Sequence, residues 1–116
     1  MHERSLVSGL IEQVREEGRV RGLGRIFEIE LQIGEFSGVE PQLVQTAFAE
    51  MAPEFWSDPV QLSIEIIPLT ARCQSCQLEF HVPAFRFHCP SCGHGETQVI
   101  AGEEMRIINL QAQRVT

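Results

Sequence analysis

No tyrosine occurs in this chain, no cysteine lies outside two close pairs, and no apolar run approaches a membrane span. Each absence removes a class of function. A transmembrane helix takes about 20 consecutive apolar residues, so helical spanning is excluded and no membrane partner is expected. With no spare cysteine, no G-x-S-x-G turn and no phosphate-binding glycine loop, nucleophilic hydrolysis and nucleotide chemistry have no groups to work with. Basic residues are short too: nine against sixteen acidic ones, a net charge of −7. Gripping nucleic acid takes a basic patch that displaces counterions from phosphates, so no nucleic-acid partner is expected. A cationic ligand or a basic protein surface suits this charge better. The first residues also lack the basic and apolar segments of a secretory signal, and a cytoplasmic location is expected.

What is present suits one small globular domain, or one carrying a still smaller module: 116 residues, 43% hydrophobic and 22% charged. Residues 5–17 place Leu6, Val7, Leu10, Ile11 and Val14 on one helical stripe, with Ser5 as N-cap and Gly18 as terminator. "RVRGLG" then reads as a loop. In "RIFEIELQIG", Phe27, Ile29, Leu31 and Ile33 alternate with polar residues, which predicts a half-buried strand ended by Gly34. The period changes again at Leu43, Val44, Ala47, Phe48 and Met51, a helix with Pro41 in its first turn and Pro53 at its stop. Ser37 and Glu40 offer an alternative start as a capping box. Phe55 and Trp56 suit the base of the core. Val60, Leu62, Ile64 and Ile66 alternate as a second strand, and Met105, Ile107 and Leu110 mark a third.

The order helix, strand, helix, strand, insert, strand predicts an α+β fold, a small mixed three-stranded sheet with two helices. Its first strand, second helix and second strand suit a right-handed crossover between parallel strands. Residues 1–70 and 97–116 are expected to form this unit, and 71–96 an inserted module.

That module holds Cys73, Cys76, Cys89 and Cys92 in the pattern C-x2-C-x12-C-x2-C. Two residues between cysteines let both sulfurs of a pair meet one ion from a tight turn. Twelve more allow a hairpin that sets the turns side by side, with Leu78, Phe80 and Val82 alternating, Pro83 breaking the run, and Phe85 and Phe87 returning. A four-cysteine zinc ribbon is the reading, structural because four thiolates leave no open position. Disulfides are the competitor in an oxidising compartment, and iron is a second, since rubredoxin-type sites use the same ligands. Cys89, Pro90, Cys92 and Gly93 resemble one rubredoxin turn, but Gln77 stands where the other would carry glycine. His81, His88 and His94 fall inside the module, on hairpin faces or near the ligands.

The remaining histidine, His2, follows the first methionine. An amino terminus, the amide nitrogen of residue 2 and its imidazole can close adjacent chelate rings on one metal. Deprotonated amide nitrogen suits square-planar nickel(II) or copper(II) rather than zinc. The amine, near pKa ~8, and imidazole, near ~6.5, both lose their protons close to neutrality. A helix starting just beyond favours neutral imidazole, and Glu3 supplies a countercharge. A mobile tail with a chance histidine is the competing reading.

"MHERSLVSGLI", "IGEFSGVEPQLVQTAF", "LSIEIIP" and "CQSCQLEF…HCPSCG" followed by "GEEMRI" together resemble the HypA/HybF family of hydrogenase-maturation nickel chaperones. The resemblance implies a nickel site formed by Met1, His2 and Glu3, with Glu40 approaching it, and structural zinc on Cys73, Cys76, Cys89 and Cys92. It implies Ni(II) as transferable cargo and no catalytic activity. It also implies two partners, a HypB-type GTPase and the [NiFe]-hydrogenase large subunit. A monomer or weak dimer is expected. A zinc-ribbon adaptor for protein or RNA, and a rubredoxin-like electron carrier, are the alternatives.

Overall fold

The computed structural model describes residues 2–113, without the side chain of His2. Helix α1 covers His2–Arg21. Its buried stripe is Val7, Leu10, Ile11 and Val14, at the spacing the sequence predicts. Its ends are not: the helix passes through Ser5 and Gly18 and stops three residues later. Gly22 takes φ +64, and Leu23 N–H donates to Gly18 O at 2.9 Å while Gly22 N–H donates to Arg19 O at 3.3 Å. This paired closure uses a left-handed glycine to satisfy the last carbonyls. A Cβ on Gly18 would meet only Ile26 Cδ1, at 3.4 Å, an ordinary contact.

Strand β1 (Ile26–Gly34) is central, parallel to β2 (Gln61–Ile67) and antiparallel to β6 (Met105–Ala112). Helix α2 (Pro41–Met51) makes the crossover between the parallel pair. The mixed three-stranded sheet is as expected, and its order is β2-β1-β6. Two bulges shift the alternation. An extra residue in β1 between Ile26 and Glu28 turns Phe27 outward, 37% exposed, where alternation put it in the core. An extra residue in β6, Ile108, is likewise exposed and lets Ile107 and Leu110 both reach the core. Leu43 and Ile66 also prove exposed. Glu40 occupies the N-cap position of α2 without a side-chain cap. The alternative capping box does not form, because Ser37 Oγ accepts from Val39 N–H at 3.2 Å. Trp56 packs against the core, while Phe55 lies under the Arg15 guanidinium, 4.9 Å from the ring centre.

A second sheet contains β3 (Thr70–Cys73), β4 (Glu79–His81) and β5 (Thr97–Ala101), all antiparallel, in the order β4-β3-β5. Its core is small: Leu69, Ala71 and Val82, flanked by Phe80, Phe87 and Val99. The expected hairpin between the cysteine pairs is absent. β4 pairs back to β3 across the first cysteine turn, and residues 85–87 form no strand. Sheet pairing also places Thr97–Ala101, assigned by sequence to the larger unit, in this second sheet.

The two sheets meet where three backbones converge. Gly34 N–H donates to Glu104 O, Glu35 N–H to Ile67 O and Phe36 N–H to Gly102 O, each at 2.8 Å. A Cβ on Gly34 would stand 2.3 Å from Gly102 C and O, and one on Gly102 2.5 Å from Leu69 Cα. Only glycine fits either place.

Candidate metal centres

Cys73 ends β3, Cys76 closes the turn that follows, and Cys89 and Cys92 form a second turn ahead of β5. The turns share one backbone pattern. Gln77 N–H donates to Cys73 O and Gly93 N–H to Cys89 O, both at 2.9 Å. Gln77 adopts φ 67 and Gly93 φ 75. Gln77 therefore takes the left-handed conformation that its glycine counterpart takes without steric cost, assisted by its Nε2 donating to Gln74 O at 3.3 Å.

The four sulfurs lie within 4.8 Å of one another, with Cys73–Cys92 and Cys76–Cys89 both at 3.5 Å. Tetrahedral zinc with sulfurs at about 2.3 Å separates them by about 3.8 Å, so the donor set fits that ion. Four sulfurs converging on one point also suit an ion better than two crosslinks.

Electrostatics agree. Cys73 and Cys89 are buried and Cys76 and Cys92 exposed. Backbone N–H donors from Cys76 and Ser75 draw the Cys73 thiol below its ordinary value. Donors from Cys92 and Ser91 bring Cys89 down to about 6. Cys76 and Cys92 move the other way. Leu78 N–H acts to lower Cys76, but the neighbouring sulfurs and desolvation outweigh it. His94 N–H acts similarly on Cys92, which is nonetheless pushed up to about 11 by Cys73, desolvation and the other sulfurs. Like charges this close cannot all form unaided, and a divalent cation at the centre removes the conflict.

The histidines of this region take separate roles. His94 Nδ1 accepts from Glu96 N–H at 3.2 Å, and its carbonyl accepts from Cys89 N–H at 3.0 Å. His88 borders a cavity beside Cys89. His81 reaches the other unit, its Nε2 lying 3.1 Å from Glu35 Oε1. Glu35 Oε1 also accepts from Leu69 N–H at 3.2 Å. That N–H, the His81 hydrogen bond and the His81 charge hold the Glu35 carboxyl below its ordinary value. Sequence reasoning missed this pair; its members are 46 residues apart, and no local pattern joins them.

At the other candidate centre, His2 is the first residue of α1 and Glu3 lies in its first turn. Met1 and the His2 side chain lie outside the described residues. Arg4 pairs with Glu50 at 2.8 Å, a side-chain tie between α1 and α2. Glu40 precedes the first turn of α2. The described contacts gather the four cysteines into one group.

Residues 1–112 match the family described as "Hydrogenase/urease nickel incorporation, metallochaperone, hypA". The chain belongs to the HypA family. It is 37% identical over 114 residues to hydrogenase maturation factor HypA of Shewanella baltica (strain OS195), covering 98% of this chain and 97% of that one. The HypA of Desulfitobacterium hafniense (strain DSM 10664 / DCB-2) is 34% identical over 113 residues, 97% of this chain and 99% of its own. The fold is similar to the solution structure of the Ni metallochaperone HypA from Helicobacter pylori, with TM-score 0.67, 26% identity, and coverage of 95% and 96%. A second solution structure of a HypA protein gives TM-score 0.72 at 27% identity, covering 97% of each chain. Among the described residues no helix is long and apolar enough to cross a membrane.

Proposed function

We propose that this chain binds Ni(II) through its first residues, Met1, His2 and Glu3, and delivers it for [NiFe]-hydrogenase maturation. Membership of the HypA family along residues 1–112 carries this reading. The start of α1 supports it physically. The first four N–H groups of a helix have no intrahelical acceptor, so a metal can displace an amide proton there without breaking the helix ladder. The positive end of the helix also favours deprotonated donors. A site of few ligands at a chain end releases its ion stepwise to a receiver, as cargo requires.

Cys73, Cys76, Cys89 and Cys92 would hold zinc, which supplies a crosslink for a unit whose own core is only a few side chains. The ribbon would span 70–101, following the sheet pairing, rather than 71–96; residues 1–69 and 102–116 make the nickel-binding unit. Glu40, at the N-cap of α2, would approach the nickel from the second helix. The chain works without catalysis in the cytoplasm, handing nickel between a HypB-type GTPase and the hydrogenase large subunit.

The test is a nickel titration of zinc-loaded protein with its native, untagged start, beside His2→Ala. About one nickel per chain, lost in the variant, is expected. Equal binding by both would remove the start of α1 from the site. A visible absorption band from the purified cysteine site would favour iron and an electron-carrier reading instead.

A further inference from the structure

The chain has no lysine, so its nine basic residues are all arginines, and eight of the nine lie among the described residues. Seven of those eight have partners. Arg4, Arg19, Arg21, Arg25 and Arg72 face carboxylates, Arg106 donates to the Gln32 amide, and Arg15 covers Phe55. The Arg86 guanidinium has no hydrogen bond, ion pair or ring contact among the described residues. In a chain with sixteen carboxylates against nine arginines, an unanswered arginine points outward.

Its surroundings are built. Residues 83–86 form a tight turn closed by Arg86 N–H donating to Pro83 O at 2.9 Å. Ala84 at φ 48 and Phe85 at φ 61 both hold left-handed conformations, which two-residue turns of this kind usually give to asparagine and glycine. Such strain persists where surrounding structure over-determines it. Here it carries Phe85 across to the other unit, where its ring meets Phe36 edge-on at 5.1 Å. Both rings stay exposed. It also places Arg86 at a cavity of about 380 Å³ bordered by Phe80, His81, Pro83, His88 and Pro90. Among the described residues no carboxylate lines this cavity, and the nearby Glu35 is already occupied by His81 and Leu69 N–H.

We propose that this cavity and the Phe36–Phe85 pair form a docking surface for an acidic segment of a partner protein. A carboxylate of the segment pairs with Arg86, and its apolar neighbours lie against Phe80, Pro83 and Phe85. Charge complementarity selects the carboxylate, since Arg86 is the uncompensated charge of the site. The aromatic and proline walls select a peptide over a bare anion, which would leave them uncovered. The volume falls in the ligand-pocket range of about 300–1,000 Å³, enough for a few side chains rather than a folded domain. The surface spans the junction, so an occupant would contact the ribbon and the larger unit at once.

The experiment is a two-dimensional amide NMR titration of the zinc-loaded full chain with the capped peptide Ala-Leu-Glu-Leu-Ala. Parallel arms use its uncharged twin Ala-Leu-Gln-Leu-Ala and inorganic phosphate. Saturable shifts at residues 80–90 and at Phe36 are expected with the acidic peptide. Affinity should be about tenfold weaker for the twin and for Arg86→Gln, as expected for one lost charge-assisted pair. Arg86→Lys, whose spectrum also reports folding, should retain part of the binding. Equal shifts with the twin, shifts elsewhere, or no saturable shift would overturn the proposal. Phosphate alone reproducing them would reduce the surface to an anion site.

Discussion

Gly34 and Gly9 are the same residue with opposite weight. At Gly34 a methyl group would collide with the Gly102 backbone at 2.3 Å, and neither backbone can yield without parting the sheets. Gly34→Ala is expected to cost about 1–3 kcal/mol, the usual range for overpacking. Gly9 lies inside α1, and a Cβ added there would meet nothing within 4 Å. Gly9→Ala should stabilise by about 0.5–1 kcal/mol through helix propensity. Urea midpoints of the two variants should therefore move in opposite directions. Periodicity marked Gly34 as the end of β1 but not its close backbone approach, and it left Gly9 unmarked. Gly18, read as a helix terminator, lies inside α1, and Gly22 closes the helix instead.

Among the elements, the ribbon is the one whose stability is conditional. It has its own small cluster around Leu69, Ala71 and Val82, against the larger cluster that α1, α2 and the first sheet share. Chelating its metal at neutral pH is expected to expose the amides of 70–101 to hydrogen exchange while α1 and α2 keep their protection. Loss of the helical circular-dichroism signal on chelation would contradict this separation. Acid should act in the same direction. Metal-bound thiolates take up protons at lower pH than free thiols, whose ordinary pKa is about 8.5, so metal-derived stability is present at high pH and lost as pH falls. Zinc retention followed against pH measures this loss. The cysteine spacing made this site legible in the sequence. The strand pairing around it was not, because β4 chose β3 as partner over the segment that follows it.

For the molecule as a whole, the radius of gyration is 17.8 Å, where a compact chain of this length would have about 13 Å. The excess reflects two bodies in line, measuring 55 × 33 × 17 Å overall. They are joined by the Gly34–Gly102–Leu69 packing and by the Glu35 carboxylate, which bonds both Leu69 N–H and His81. Glu35→Ala should leave the buried Leu69 N–H without its acceptor, lower the urea midpoint and loosen the ribbon. The carboxyl is held below its ordinary value. Its contribution is therefore complete above about pH 4.3 and disappears as pH falls through the lower folded value. The gap between wild type and variant should close in that direction. A gap that persists unchanged into acid would deny the carboxylate this role.

The sequence by itself determined the α+β class, the mixed three-stranded sheet, the buried helical stripe of α1 and the convergence of four cysteines. These follow from periodicity and from ligand spacing, which are local and repeat along the chain. Tertiary structure alone decided the bulges at Phe27 and Ile108, the membership of β5 in the second sheet, and the Glu35–His81 tie. Each of these depends on which distant backbone arrives alongside, and a contact between residues dozens of positions apart leaves no period or spacing to read.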